Sequence, residues 1–239
     1  MHRMVTVRQI ACVASRWRYL ELAILVVVTL AMHLSIINEP PDLMVDEIYY
    51  VNDARAIVAG EGELRPEHPP LGQLIIASGI LLFGDNSFGW RILSVLFGSL
   101  GIVFFHLVCT RLGMSRRTAF LASFLFALEN LSFVQASIAM LDVFSVTLML
   151  AGFWLYLRRS YAAAPVAFSL STLAKLTGGL GVAIVALHWL VRRQDRPLRF
   201  LVSLAVAPML FVLLLPGLDF LMPGDVYDPI VRIREILTV

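Results

Sequence analysis

Cysteine, lysine and charge of either sign are scarce in this sequence. Charged residues make up 15% of the 239 residues and apolar ones 59%, whereas a soluble domain carries about 25% charge. An ordinary water-soluble globule is excluded, and the chain reads as a polytopic membrane protein. The two cysteines, Cys12 and Cys109, lack the spacing of a metal site. Both fall on the face expected to be cytoplasmic, where thiols stay reduced, so no disulfide is expected. The single lysine is Lys175; every other basic residue is arginine. There is no Gly-rich phosphate loop, no Cys/His cluster and no Ser-His-Asp arrangement. No basic surface interleaved with aromatics suits a nucleic acid. Internal repeats and low-complexity linkers are also missing.

What is present is apolar length. A bilayer span needs about 20 apolar residues. Seven stretches are candidates, several of them short, at about 19–37, 88–110, 117–134, 138–157, 162–177, 179–191 and 199–216. The first is long for a signal-peptide core and no small-x-small site follows it, so a retained span is expected. Asp142 interrupts the fourth near its start, and Thr177-Gly178-Gly179 marks a helix break between the fifth and sixth. Thirteen basic residues then share one face: Arg3, Arg8, Arg16, Arg18, Arg111, Arg116, Arg117, Arg158, Arg159, Arg192, Arg193, Arg196 and Arg199. Asp195 is the one acid assigned to that face. Glu39, Asp42, Asp46, Glu47, Asp53, Glu61, Glu63, Glu67 and Asp85 all fall in the loop 38–87. Positive charge accumulates on the cytoplasmic side, which predicts an N-in, C-out chain with the tail 216–239 external. The expected fold class is an all-α helical bundle of a single transmembrane domain over 1–239.

The loop 38–87 is the largest polar segment. Glu47–Ala59 has helical periodicity, with Tyr50, Val51, Ala54, Ile57 and Val58 on one face, and reads as an interfacial amphipathic helix. Leu71–Phe83 is apolar but has 13 residues, a length that suits a membrane-surface or re-entrant segment. The whole loop is expected to lie flat on the outer leaflet. In the tail, Gly224, Tyr227 and Pro229 mark turns.

Two kinds of polar residue need an explanation. Asp46 and Glu47 are adjacent carboxylates beside a membrane helix. They read either as solvated acids favoured by a helix dipole, or as a general base whose neighbour orients substrate or a divalent ion such as Mg or Mn. Arg91, Glu129, Asp142 and Lys175 lie within spans, where charges are costly and are paired or functional. All four fall toward the external ends. Arg91, in Phe88-Gly89-Trp90-Arg91, is either a headgroup-level anchor or a guanidinium clamp for a phosphate. Lys175 either snorkels, pairs with Asp142 or Glu129, or serves the phosphate as a point charge. His68 stands before Pro69 and Pro70, which fix an extended turn. Asn130 and Gln135 suit hydrogen bonding within a bundle. No closed metal-ligand set is present.

These motifs together resemble the bacterial protein O-mannosyltransferase family. The resemblance runs through Asp46-Glu47, His68-Pro69-Pro70-Leu71-Gly72, Phe88-Gly89-Trp90-Arg91, Leu128-Glu129-Asn130, Val134-Gln135, Ile138-Ala139-Met140-Leu141-Asp142 and Lys175-Leu176-Thr177-Gly178, in the family's order over 42–180. It implies the GT-C fold and an inverting transferase on the external face, using a polyprenyl-phosphate-linked sugar, mannose above others, and a Ser or Thr acceptor on a protein. Asp46 would be the catalytic base, Glu47 would assist acceptor or metal positioning, Arg91 would contact the lipid phosphate, and His68 would shape the loop. Glu129 stands where the family usually has Asp, Ser137 where Arg often follows the glutamine, and Leu176 replaces Trp. The chain also has fewer spans than the family usually has.

Three functions compete. One is a compact glycosyltransferase, alone or with another membrane subunit. The second is a catalytically silent homologue serving as a structural subunit, which the shortness favours. Against it, Asp46-Glu47, His68-Pro69-Pro70 and Arg91 are residues that a purely structural role does not need. A transporter or flippase fragment would also carry intramembrane charges, but paired broken helices in repeated halves are missing.

Overall fold

The computed structural model describes residues 19–62, 64–191, 198–221 and 229–237. Cys12 and the arginines at 3, 8, 16 and 18 lie outside these residues, as do Glu63, Arg192, Arg193, Asp195, Arg196, Gly224 and Tyr227. The chain runs α1 (Leu20–Ile36), α2 (Glu47–Ala59), α3 (Leu71–Phe83), α4 (Ser87–Arg111), α5 (Arg116–Leu128), α6 (Asn130–Ser137) and α7 (Leu141–Leu157). It continues with α8 (Ala163–Ala174), a 3-10 turn (Leu176–Gly179), α9 (Leu180–Val191), α10 (Leu198–Asp219) and α11 (Pro229–Leu237). A helix occupies each of the seven stretches expected to be apolar spans, and no strand occurs among the described residues. Pro229, expected in a turn, opens α11.

Local chemistry sets the helix ends. Asn86 caps α4 by accepting from Gly89 N at 3.0 Å, and Ser115 caps α5 by accepting from Thr118 N at 3.2 Å. Gly60, at φ 78°, closes α2 in the left-handed conformation that glycine adopts without strain. Glu129 caps α6, taking the N–H groups of Leu131 at 3.0 Å and Ser132 at 2.8 Å. The cap falls in the middle of the expected third span and divides it into α5 and α6, which meet at 59°. By length and apolar character α4 can cross a bilayer alone and the α5–α6 pair as a bent span; the other apolar helices are shorter. Large aliphatic side chains such as Val28, Leu125, Leu187 and Leu213 stay exposed on the outer surfaces of these helices, as a lipid-facing surface requires.

The loop 38–87 departs from the flat, interfacial arrangement expected of it. Tyr50, Val51, Ala54 and Ile57 of α2 pack with Ile76, Ala77 and Ile80 of α3, and with Trp90, Ala136, Leu141, Phe144 and Ala174 of the bundle. The apolar face of α2 therefore meets protein, and only Val58 of the expected face is exposed. Packing face to face removes the apolar sides of both helices from water. The end of α3, Leu81-Leu82-Phe83, remains exposed. A second core joins Tyr156, Phe168, Val185, Trp189 and Phe200, and a third joins Leu173, Leu215 and Ile236 of α11.

Charge sorts along the helices. Arg111, Arg116 and Arg158 stand at the ends of α4, α5 and α7 remote from the loop 38–87. Glu21 pairs with Arg116 at 3.1 Å. The basic face thus carries an acid that the sequence had not assigned to it, because the first turn of α1 lies beside the start of α5.

Candidate active site

Glu47 opens α2 and points inward, its side chain 0% exposed, as is that of Arg91 on α4. The two form a bidentate pair, Nε to Oε1 at 2.8 Å and Nη2 to Oε2 at 2.8 Å. Glu47 Oε2 also accepts from Met44 N at 3.1 Å and Oε1 from Ala139 N at 2.9 Å. Arg91 donates further to the carbonyls of Ile37 at 3.0 Å, Pro40 at 2.9 Å and Asp42 at 3.2 Å. A guanidinium has five N–H donors and a carboxylate about four acceptor sites, and here all are taken up by protein. Desolvating a charged pair is costly unless every group is satisfied in this way. The pair sews the loop after α1 to α2, α4 and the turn before α7.

This geometry corrects two expectations. Arg91 is neither a headgroup anchor nor a phosphate clamp, because it is buried and keeps no free N–H. Glu47 has no lone pair left for an acceptor or a metal. The pair Asp46-Glu47 therefore does not fit a divalent ion, and among the described residues no three His, Cys, Asp or Glu side chains gather as a metal cage.

Asp46 has the opposite fate. Its backbone carbonyl accepts from Tyr49 N at 2.9 Å and Tyr50 N at 3.2 Å, while its carboxylate makes no capping bond. Among the described residues nothing donates to that carboxylate, which is half-buried at the head of α2. Val45 before it sits at φ 51°, a left-handed conformation that strains a β-branched residue. The Arg91–Asp42 and Glu47–Met44 bonds hold the loop in this shape.

The remaining polar residues gather one turn along α2. The Tyr50 ring meets His68 edge-on at 5.6 Å. Burial pushes the Tyr50 hydroxyl up to about 12, helped by the charges of Asp46 and Asp142. Burial also lowers His68; Lys175 and Arg65 add to that shift, and Glu67 and Asp142 oppose it. His68 is thus neutral near pH 7. Lys175 Nζ binds Asp142 Oδ2 at 2.7 Å with both side chains 23% exposed. Lys175 can reach out because it interrupts the helix, at φ −157° and ψ 138° between α8 and the 3-10 turn. Pro69 and Pro70 are buried and lead into α3. Gly72 then passes so close to α7 and α8 that a Cβ there would lie 2.6 Å from Leu141 Cδ2 and 2.9 Å from Ala174 O. Asp46, Tyr50, His68, Asp142 and Lys175 thus form one cluster at the helix ends that adjoin the loop 38–87.

Glu129, Asn130 and Gln135 stand apart from it. Glu129 and Asn130 are exposed at the α5–α6 bend. Gln135 lines a cavity of about 170 Å³ between α1, α4, α5, α6 and α7, together with His33, Gly98 and Thr147, and neither Asp46 nor Lys175 lines it.

Tyr50, Arg65, Asp53 and Arg232 were not among the site residues expected from sequence. Asp53 is buried, accepts from Gln73 Nε2 at 3.2 Å, and is raised to about 6 by burial, against the opposing Arg65 charge and the Gln73 bond. Arg232 of α11 donates to the carbonyls of Pro66 and, at 3.2 Å, His68, and to Asp219 Oδ1 at 3.3 Å. The helical phase of Asp46 and Tyr50, four residues apart, was the available signal for Tyr50. Nothing local in the sequence marks Arg232.

The family described as dolichyl-phosphate-mannose-protein mannosyltransferase has a sequence model that matches residues 80–224. The chain belongs to this mannosyltransferase family. A polyprenol-phosphate-mannose–protein mannosyltransferase of Mycobacterium tuberculosis (strain ATCC 25618 / H37Rv) is 30% identical over 138 residues, 55% of this chain and 26% of the relative. An undecaprenyl phosphate-alpha-4-amino-4-deoxy-L-arabinose arabinosyl transferase of Pseudomonas aeruginosa (strain LESB58) is 32% identical over 120 residues, 46% of this chain and 22% of the relative. The matches thus span about a quarter of these relatives' length. Two solved structures share the fold. The S. cerevisiae Pmt1-Pmt2 protein O-mannosyltransferase complex bound to the sugar donor has a TM-score of 0.70 at 18% identity, covering 92% of this chain and 34% of that one. ArnT from Cupriavidus metallidurans in the apo state has a TM-score of 0.67 at 22% identity, covering 95% and 44%. The fold of this mannosyltransferase-family chain is the GT-C membrane fold.

Proposed function

We propose that the chain forms the hydroxyl-activating side of a membrane glycosyltransferase site. It takes a polyprenyl-phosphate-linked sugar, mannose by family, and delivers it to a Ser or Thr hydroxyl of a protein. The observation that carries this reading is the Asp46 carboxylate, which has no protein donor and is fixed in place by the Glu47–Arg91 clamp beneath it. A general base needs a free lone pair on a rigid mount. The acceptor oxygen forms a bond to the anomeric carbon from the face opposite the phosphate, and Asp46 takes its proton. The bond from the anomeric carbon to the phosphate oxygen breaks, polyprenyl phosphate leaves with the electron pair, and the configuration inverts. Lys175, steadied by Asp142, offsets the charge that builds on the leaving phosphate. Arg111, Arg116 and Arg158 lie at helix ends remote from this cluster, which supports an N-in chain with the site outside a bacterial cell membrane.

The test is sugar transfer by the full chain in lipid nanodiscs, from polyprenyl-phosphate-mannose to a Ser/Thr-rich peptide. Asp46→Asn is expected to lose about 10²- to 10⁴-fold in rate while melting at the same temperature. Equal turnover would remove Asp46 from the chemistry.

The structural-subunit reading keeps one observation in its favour. Glu47 and Arg91 are fully used by the fold, so their presence no longer argues for catalysis; Asp46 and Lys175 carry that argument alone. Wild-type protein that transfers nothing and copurifies with a stoichiometric membrane partner would decide for it.

A further inference from the structure

Arg91 cannot hold a phosphate, and Lys175 already shares its charge with Asp142. A site for a lipid phosphate needs another cation, and one stands at the rim. Arg65 lies on the loop between α2 and α3, three residues before His68, and is half-buried. Its Cζ lies 3.8 Å from the centroid of the Tyr49 ring. Stacking uses the flat face of a guanidinium and leaves the N–H groups in its plane free. Among the described residues, no carbonyl or carboxylate takes a hydrogen bond from Arg65. Its neighbours at this end of the molecule differ: Arg55 binds Asp85 at 2.9 Å and Asn52 at 3.1 Å, Arg91 is saturated, and Arg232 binds the loop carbonyls.

Its position suits the role. The charge of Arg65 acts on Tyr50, on Asp53 and on His68, and Lys175 acts on the same His68. Arg65 also stacks on Tyr49, the residue before Tyr50, and stands three residues before His68, whose ring meets Tyr50 at 5.6 Å, so it borders the cluster. The loop is also fixed close by, because Arg232 holds the carbonyls of Pro66 and His68. A fork of N–H donors on a fixed loop is preorganised for a phosphate's oxygens.

We infer that Arg65 is the guanidinium that grips the phosphate of the lipid-linked donor, a second cation beside Lys175. The inference rests on the glycosyltransferase reading above and supplies the phosphate ligand that Arg91 does not. A phospholipid headgroup carries the same phosphate chemistry, so the experiment must separate the two sources.

The full chain is placed in phosphatidylcholine nanodiscs and its affinity for a short-chain polyprenyl phosphate is measured, with phosphatidylglycerol as the second probe. Wild type, Arg65→Gln, Arg65→Lys and the remote control Arg117→Gln are compared, each with a melting curve. Arg65→Gln is expected to bind polyprenyl phosphate about ten- to a hundredfold more weakly, with Arg65→Lys between it and wild type. Arg117→Gln should match wild type, and phosphatidylglycerol affinity should be the same throughout. Undiminished polyprenyl-phosphate binding by a folded Arg65→Gln would overturn the inference and leave the proposed function standing. An equal loss for phosphatidylglycerol would make Arg65 a membrane anchor and overturn it too. Wild-type protein that binds no polyprenyl phosphate would bring down the proposed function, and this inference with it.

Discussion

Asp46 and Glu47 are joined by one peptide bond and live in different solvents. Glu47 faces the packed side of α2, meets four donors and is sealed from water; Asp46 faces the rim and meets none. The same contrast separates two arginines. Arg91 is surrounded by three carbonyls and the Glu47 carboxylate, which together use every N–H, while Arg65 lies across a tyrosine with its edge open. A charged side chain in this molecule is structural when the backbone closes around it and available for chemistry when a helix end or loop leaves it uncovered.

The largest way to break that contrast is at the clamp. Arg91→Ala leaves Glu47 as an unpaired buried carboxylate and is expected to cost about 3–5 kcal/mol, read as a fall in the unfolding midpoint in detergent. Asp46→Asn should stay within about 0.5 kcal/mol of wild type, as surface substitutions do. If the two variants melt alike, the division between clamp and rim is wrong.

Next comes the mount of Lys175. Gly72→Ala pushes a methyl against Leu141 and the Ala174 carbonyl, and overpacking of this kind costs about 1–3 kcal/mol. The carbonyl cannot turn away, so the expected shift falls on the α3–α8 contact, with loss of stability and of transfer together. Lys175→Met should act on the chemistry alone, lowering turnover by about tenfold or more through a lost charge-assisted contact, with little change in melting. A Lys175→Met enzyme that turns over like wild type would leave Arg65 as the phosphate cation by itself.

The smallest effect concerns Asp53. Its folded pKa is raised to about 6, so the folded state holds this proton more tightly than the unfolded chain does. That contribution to stability is complete below about pH 4, the unfolded carboxylate range. It is lost as pH rises through about 6. Asp53→Asn removes the titration, so the variant should gain on wild type between pH 4 and 7. A difference that stays constant across that interval would show that Asp53 is charged in the folded protein.

The sequence made the helices of the loop legible. Glu47–Ala59 folds as the periodicity of its apolar residues predicts, and the apolar stretch Leu71–Phe83, bounded from its composition, is a helix with the same bounds. The surface that α2 packs against was not legible, since an amphipathic face is the same pattern whether lipid or protein covers it. Glu47 was within reach: it stands three, four and seven residues before Tyr50, Val51 and Ala54, on the face that sequence already marked as apolar. The burial of Arg91 was not, because its acceptors are the carbonyls of residues 37, 40 and 42, and carbonyl positions leave no trace in side-chain identity. Lys175 and Asp142 were paired correctly as one of the two partnerships weighed, and the other, with Glu129, fails because that carboxylate caps α6.

Arg232 gives the molecule a remote reporter. It belongs to α11, yet its donors end on Pro66 and His68, the residues that follow Arg65. Coupling between two places is reciprocal. Whatever steadies α11 steadies the loop at the rim, and a ligand that immobilises the loop must slow the opening of α11 by the matching free energy. Amide hydrogen exchange around Ile236 would then register occupancy of the rim from a helix that itself never touches the ligand.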